Sequence, residues 1–248
     1  MSKRNLLIGS LIAIVLLAGA VWFLFLRSDA PPPASLEEAV AAVSDETTAA
    51  PSEVATETTA PVDTTAAPIA TEGLDGTWVV DREPSFAGYR IGEELASVGT
   101  ITAVGRTSDV EAALTFAGSA VTDLSVTVDM TTLQSDRSLR DSALRTRGLE
   151  TAAFPTATFL LTEPIELGVA PEDGVPFTGV AAGELTLHGV TNTISMPVEG
   201  SLVDGTVVVV GSVDLALADY GIEAPTGFSV LSINEIGTLE VQLAFVRS

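Results

Sequence analysis

From Asp75 to the C-terminus the chain alternates apolar and polar residues with a period of two, which restricts it to half-buried β-strands. In "DLSVTVDMTTL", Leu124, Val126, Val128 and Met130 fall on one face, with Ser125, Thr127 and Asp129 on the other. "TLEVQLAFV" sets Leu239, Val241, Leu243 and Phe245 against Glu240 and Gln242. "EAALTFAG", "TATFLLTE", "GELTLHG", "NTISMPVEG" and "VVVVGSVDLALA" behave similarly. Turn residues separate them ("AGSAVTD", "EDGVPFTG", "EGSLVDGT", "DYGIEAPTG"). Eight to ten short strands at this spacing predict an antiparallel all-β sandwich or barrel.

One stretch breaks the alternation. Ser138 to Arg147, in "DRSLRDSALRTRGLETAAFPTATF", has Leu139, Ala143 and Leu144 at helical spacing and Gly148 as a candidate C-cap. Asp136 and Asp141 each precede an arginine by four residues, Arg140 and Arg145. Such acid-first pairs stabilise a helix by about 0.2–0.5 kcal/mol each. Four arginines gathered in a chain of formal net charge -22 have three readings. They hold a short surface helix together, or Arg140 or Arg147 meets a ligand head group at one barrel end, or the stretch is a partner surface.

The remainder of the chain is a different polymer. Leu6 to Leu26 is uncharged and apolar, about 31 Å long as a helix and sufficient to span a bilayer. Lys3 and Arg4 precede it, so residues 1–5 are expected in the cytoplasm, 6–26 as a transmembrane signal anchor, and the rest outside. A cleaved signal peptide is the rival, since Ala18-Gly19-Ala20 offers a cleavage site, but the apolar run continues past it. Residues 27–74 are rich in Ala, Thr, Pro and Glu and read as a disordered stalk, too poor in large apolar residues to fold. As a flexible coil it would span about 40 Å. The expected location is the cell membrane, single-pass, with residues 75–248 as one extracytoplasmic domain.

Composition excludes several chemistries. Residues 75–248 carry 24 acids and eight bases, which argues against nucleic acid as a partner. There is no cysteine, so thiol catalysis and Cys-ligated metals are excluded. His188 is the only histidine. It sits in "TLHGVT" and reads as a surface turn residue, leaving neither a serine-hydrolase triad nor a zinc site. No phosphate-binding loop occurs. The expectation is a non-enzyme without cofactor or metal.

Three blocks together resemble the YceI-like family. "LRDSALRTRGLETAAFPTATF" is similar to its signature at Arg140-Asp141, Leu144, Thr146, Leu149, Phe154-Pro155 and Phe159. "GELTLHGVTNTISMPV" resembles its hairpin, and "ALADYGI" the end of a later strand. The resemblance spans about Gly76 to Val246. It implies a lipocalin-like up-and-down barrel of about eight strands, a helical segment at one end, and an elongated apolar interior that holds polyisoprenoid or similar lipid chains. Phe116, Val126, Val128, Met130, Phe154, Phe159, Leu187 and Tyr220 are then the candidate ligand contacts. The chain departs from the family near its start. Pro84-Ser85 stands where His-Ser is usual, and Gly92-Glu93-Glu94-Leu95 replaces a His-containing turn. These acids near one barrel end disfavour an anionic diphosphate and affect a neutral quinone-like or fatty ligand less. The alternative is an envelope interaction module that keeps the scaffold but fills its interior.

Overall fold

The structure, a computed structural model, describes residues 30–48, 73–97, 99–227 and 230–248. The candidate anchor at 6–26 lies outside them, as do residues 49–72. Among the described residues no helix is long and apolar enough to cross a membrane.

The alternating segments form twelve antiparallel strands: β1 (Gly76–Leu95), β2 (Gly99–Thr107), β3 (Val110–Ala117), β4 (Ala120–Asp129), β5 (Gln134–Ser135), β6 (Thr156–Leu161), β7 (Ile165–Glu166), β8 (Phe177–Leu187), β9 (Val190–Val203), β10 (Thr206–Ala216), β11 (Val230–Ile233) and β12 (Ile236–Arg247). Going round the sheet, β12, β10, β9, β8, β6, β4, β3 and β1 are neighbours, and β12 pairs back onto β1. The result is the expected closed eight-strand up-and-down barrel. The short strands are additions: β11 pairs with β1, β7 with β4 and β5 with β2.

β1 is long enough to have two partners on one side. Its first part pairs with β3 (Trp78↔Leu114) and its second with β2 (Tyr89↔Gly105), so β2 and β3 act as one interrupted strand. On the other side its register against β12 shifts between Asp81 and Phe86. Pro84 lies in this irregularity and brings no N–H to the ladder. Ser85 is buried and its Oγ accepts from Ala244 N at 2.9 Å, restoring one bond. The shift also changes which residues face inward. Trp78 packs into the core edge-on to Phe116, whereas beyond the irregularity the odd-numbered Ala87, Tyr89, Ile91 and Glu93 line the interior.

Two helices join the barrel. Helix α1 (Leu36–Thr48) lies within the stretch expected to be a disordered stalk. For residues 30–48 that expectation is corrected: they dock on the outer barrel wall. Ala39 and Val43 are buried against Val208, Val210 and Ala244. Glu240, 1% exposed, receives Arg90 Nε at 2.9 Å and Arg106 Nε at 2.9 Å. The same arginines donate onward to the carbonyls of Pro31 and Pro32, the latter at 2.7 Å. Proline-rich backbone leaves such carbonyls without internal partners, and here two guanidinium groups satisfy them.

Helix α2 (Ser138–Leu144) is shorter than the expected Ser138–Arg147. It ends at Arg145, and Gly148 lies further on in a turn at φ +69°, against Pro225.

Candidate functional site

The barrel encloses a cavity of about 240 Å³, lined almost wholly by apolar side chains from its strands and closed at one end by α2 and the turns after it. Inward alternation puts Leu124, Val126 and Val128 of β4 on this wall and Leu239, Val241, Leu243 and Phe245 opposite. Of the residues expected from sequence, Phe116, Val126, Val128, Met130, Phe159 and Leu187 line the cavity.

Phe154, Tyr220 and Arg147 do not. Phe154 instead packs on the His188 ring, with centroids 4.3 Å apart. Tyr220 is buried at the end of a 3₁₀ turn (Leu217–Tyr220), outside the cavity lining. Arg147 is solvent-exposed. Sequence parity says nothing of turns, where Phe154 and Tyr220 both lie.

His188 corrects a further expectation. It does occupy the β8–β9 turn, where it and Gly189 adopt φ of +53° and +74°, the pattern of a type I′ hairpin. Its ring, however, is largely covered. Nδ1 lies 3.0 Å from Tyr220 O and Nε2 3.0 Å from Glu150 Oε2. His188 is therefore a clasp between the hairpin and two neighbouring turns. Both ring nitrogens are committed, and no serine hydroxyl of the described residues shares them.

At the α2 end the cavity wall becomes polar. Arg140 reaches from α2 to Glu93 of β1 in a two-pronged pair: Nε to Oε1 at 3.0 Å and Nη2 to Oε2 at 2.9 Å. Both side chains are under a tenth exposed. Arg140 Nη1 also donates to Asp136 and, at 3.3 Å, to Ser135 Oγ. Burial alone would lower the Arg140 pKa, but hydrogen bonding and charge from Glu93, with Asp136, outweigh it and raise it. Of the two expected helix pairs, Asp136–Arg140 forms; Asp141 instead accepts from Ser135 N at 2.9 Å and Ser135 Oγ at 2.6 Å. Arg140 thus meets the helix and head-group readings halfway. It is on the cavity, yet its charge is already met.

Tyr89, beside this pair, was not anticipated. Its ring lies across Gly105 of β2, where a Cβ would fall 2.4 Å from Tyr89 Cε1, so only glycine admits it. The hydroxyl is buried with no hydrogen-bond partner among the described residues. Burial pushes the phenol well above its ordinary pKa, partly offset by Arg140 and reinforced by Glu93. The neutral phenol is therefore favoured by folding. Its stabilising contribution is complete below about pH 10 and is lost as pH rises toward the folded value. In urea unfolding series from pH 9 to 12, Tyr89→Phe will lose stability less steeply than the wild type above pH 10; equal slopes would contradict this.

Among the described residues, no group of three His, Asp or Glu is placed to hold a metal.

A closed antiparallel barrel around an apolar cavity defines a lipocalin-like barrel. The chain belongs to the family of the YceI-like domain, whose model matches residues 78–245. Among solved structures it is similar to a polyisoprenoid binding domain from Saccharophagus degradans implicated in plant cell wall breakdown, at 15% identity, covering 69% of this chain and 98% of that one, TM-score 0.55. It is similar also to Burkholderia cenocepacia BcnA, at 17% identity, covering 66% of this chain and 98% of the other, TM-score 0.50. At these identities the likeness is one of fold. No curated protein matches the chain by sequence.

Proposed function

We propose that this protein is a membrane-tethered extracytoplasmic barrel that holds an isoprenoid or other long-chain lipid, as a carrier or in sequestration, without bond chemistry. The observation that carries this reading is the apolar cavity along the barrel interior. A filled barrel serving only as an envelope interaction module would have no such space. Family membership and the fold shared with a domain named for polyisoprenoid binding support the same reading. Binding would be driven by burial, each methylene contributing about 0.8 kcal/mol.

Tethering rests on the apolar run 6–26. If it is anchored, the docked segment changes the geometry expected of a long stalk. Only three residues separate Leu26 from Ala30, a reach of at most about 14 Å. The barrel wall would then sit close to the bilayer.

A variant that fills the cavity tests the reading. Ala181 is buried on the lining, in the middle of β8. Ala181→Phe projects a ring into the space a lipid would use, and uptake of geranylgeraniol by the full chain in detergent will fall at least about tenfold while the thermal midpoint holds. Unchanged uptake in the folded variant would place the lipid outside the barrel.

A further inference from the structure

We propose that the α2 end of the cavity is a head-group site for an uncharged hydrogen-bond acceptor, with Tyr89 as its donor, and that it discriminates against phosphorylated lipids. The inference rests on the lipid-binding reading above and adds the chemistry of the ligand's polar end.

The polar groups there are few and their commitments can be followed. Arg140 is the one cationic side chain on the lining among the described residues. Its guanidinium is occupied by both oxygens of Glu93, by Asp136 and by Ser135 Oγ. Asp136 is also paired with Arg137 at 3.5 Å, so the cluster of Arg140, Glu93, Asp136 and Arg137 holds no unmet positive charge, and a diphosphate would have to displace Glu93 from a buried two-pronged pair. Glu93 in turn is satisfied by Arg140 and is not a free acceptor for a ligand amine.

Tyr89 is different. Of the side chains on the lining, it alone carries a buried polar atom with no hydrogen-bond partner among the described residues. A buried orphan hydroxyl is unfavourable unless something meets it, and most such groups in folded proteins are met. The local backbone is shaped to keep the ring in place, since any side chain at Gly105 would expel it. The phenol stays protonated at neutral pH, so it offers a donor. A carbonyl or ether oxygen at the end of an apolar chain fits this donor. A chain with no polar end leaves it unmet, and an anion meets the adjacent carboxylates.

Three probes with the same C20 isoprenoid tail separate these cases in the full chain, measured by native mass spectrometry from detergent: geranylgeranyl acetate, geranylgeranyl diphosphate and the corresponding hydrocarbon. The acetate will bind about five- to tenfold more tightly than the hydrocarbon, the range of one neutral hydrogen bond, and the diphosphate will bind more weakly than the acetate. Tyr89→Phe will remove the acetate's advantage over the hydrocarbon, a ratio that a merely destabilised barrel would preserve. If Tyr89→Phe keeps the advantage, or if the diphosphate equals the acetate, the head-group site is overturned and the lipid reading stands. If all three bind equally well, the result is the same. If none of the three binds, the lipid reading itself fails and takes this inference with it.

Discussion

Glu93→Ala will destabilise the barrel by about 3–5 kcal/mol, far more than a surface charge deletion. The size follows from burial. Glu93 and Arg140 are each under a tenth exposed, and the pair joins α2 to the end of β1 across 47 residues of sequence. Removing the carboxylate leaves a guanidinium buried with only Asp136, itself two-fifths exposed, to balance it. Exposed pairs of the same chemistry contribute about 0–1 kcal/mol. The double variant Glu93→Leu, Arg140→Met removes both charges and will recover most of the loss, because an apolar replacement need not be desolvated. Urea unfolding of the three variants measures this. A single-variant cost below about 1 kcal/mol, or no recovery in the double, would show that the pair is not the fastening of this end.

The second large effect concerns the docked segment. Glu240→Ala will release residues 30–48 from the wall. Glu240 is the point on which Arg90 and Arg106 converge, and its Oε2 also lies 3.3 Å from Ala34 N. Without it two neighbouring guanidinium groups repel each other, and their grip on the Pro31 and Pro32 carbonyls loosens. The expected cost is about 3 kcal/mol, as for other broken buried pairs. A thirteen-residue helix is marginal in water on its own, so α1 will melt when it undocks. Hydrogen exchange on the full chain will show the amides of Ala39 to Val43 losing protection while β8 and β9 keep theirs. Unchanged protection of α1 would mean that Ala39 and Val43 hold the segment by packing alone.

The two expectations differ in how visible they were in the sequence. The inward faces of β4 and β12 follow from alternation alone, and all seven residues named on them reach the cavity, as does Met130 just past β4. Alternation failed in β1, where the irregularity between Asp81 and Phe86 switches the inward set from Trp78 and Val80 to Ala87 and Tyr89. A register shift depends on the partner strand, which a single segment does not reveal. For this reason Tyr89 was overlooked.

The docked helix was missed for another reason. Its composition resembles the rest of the 27–74 stretch, but local signals were present. Ser35-Leu36-Glu37-Glu38 is a capping-box pattern, and the Ser35 hydroxyl does accept from Glu38 N at 3.4 Å. Leu36, Ala39, Val40 and Val43 recur at helical spacing. Small residues make a helix that needs a prepared surface, and Val208, Val210 and Ala244 supply it from distant strands. Arg140 shows the same limit. Spacing found its partner Asp136 one turn away but not Glu93, because pairing arithmetic treats a helix as isolated in water.

The central claim is that the interior holds lipid, and it can be tested by extracting the purified full chain with organic solvent and analysing the extract by mass spectrometry against protein concentration. The expected extract contains a long-chain lipid with an uncharged polar end, at about one per chain. An extract free of stoichiometric lipid, from a chain that also takes up no added isoprenoid or fatty acid, would contradict it and leave the barrel as an interaction module.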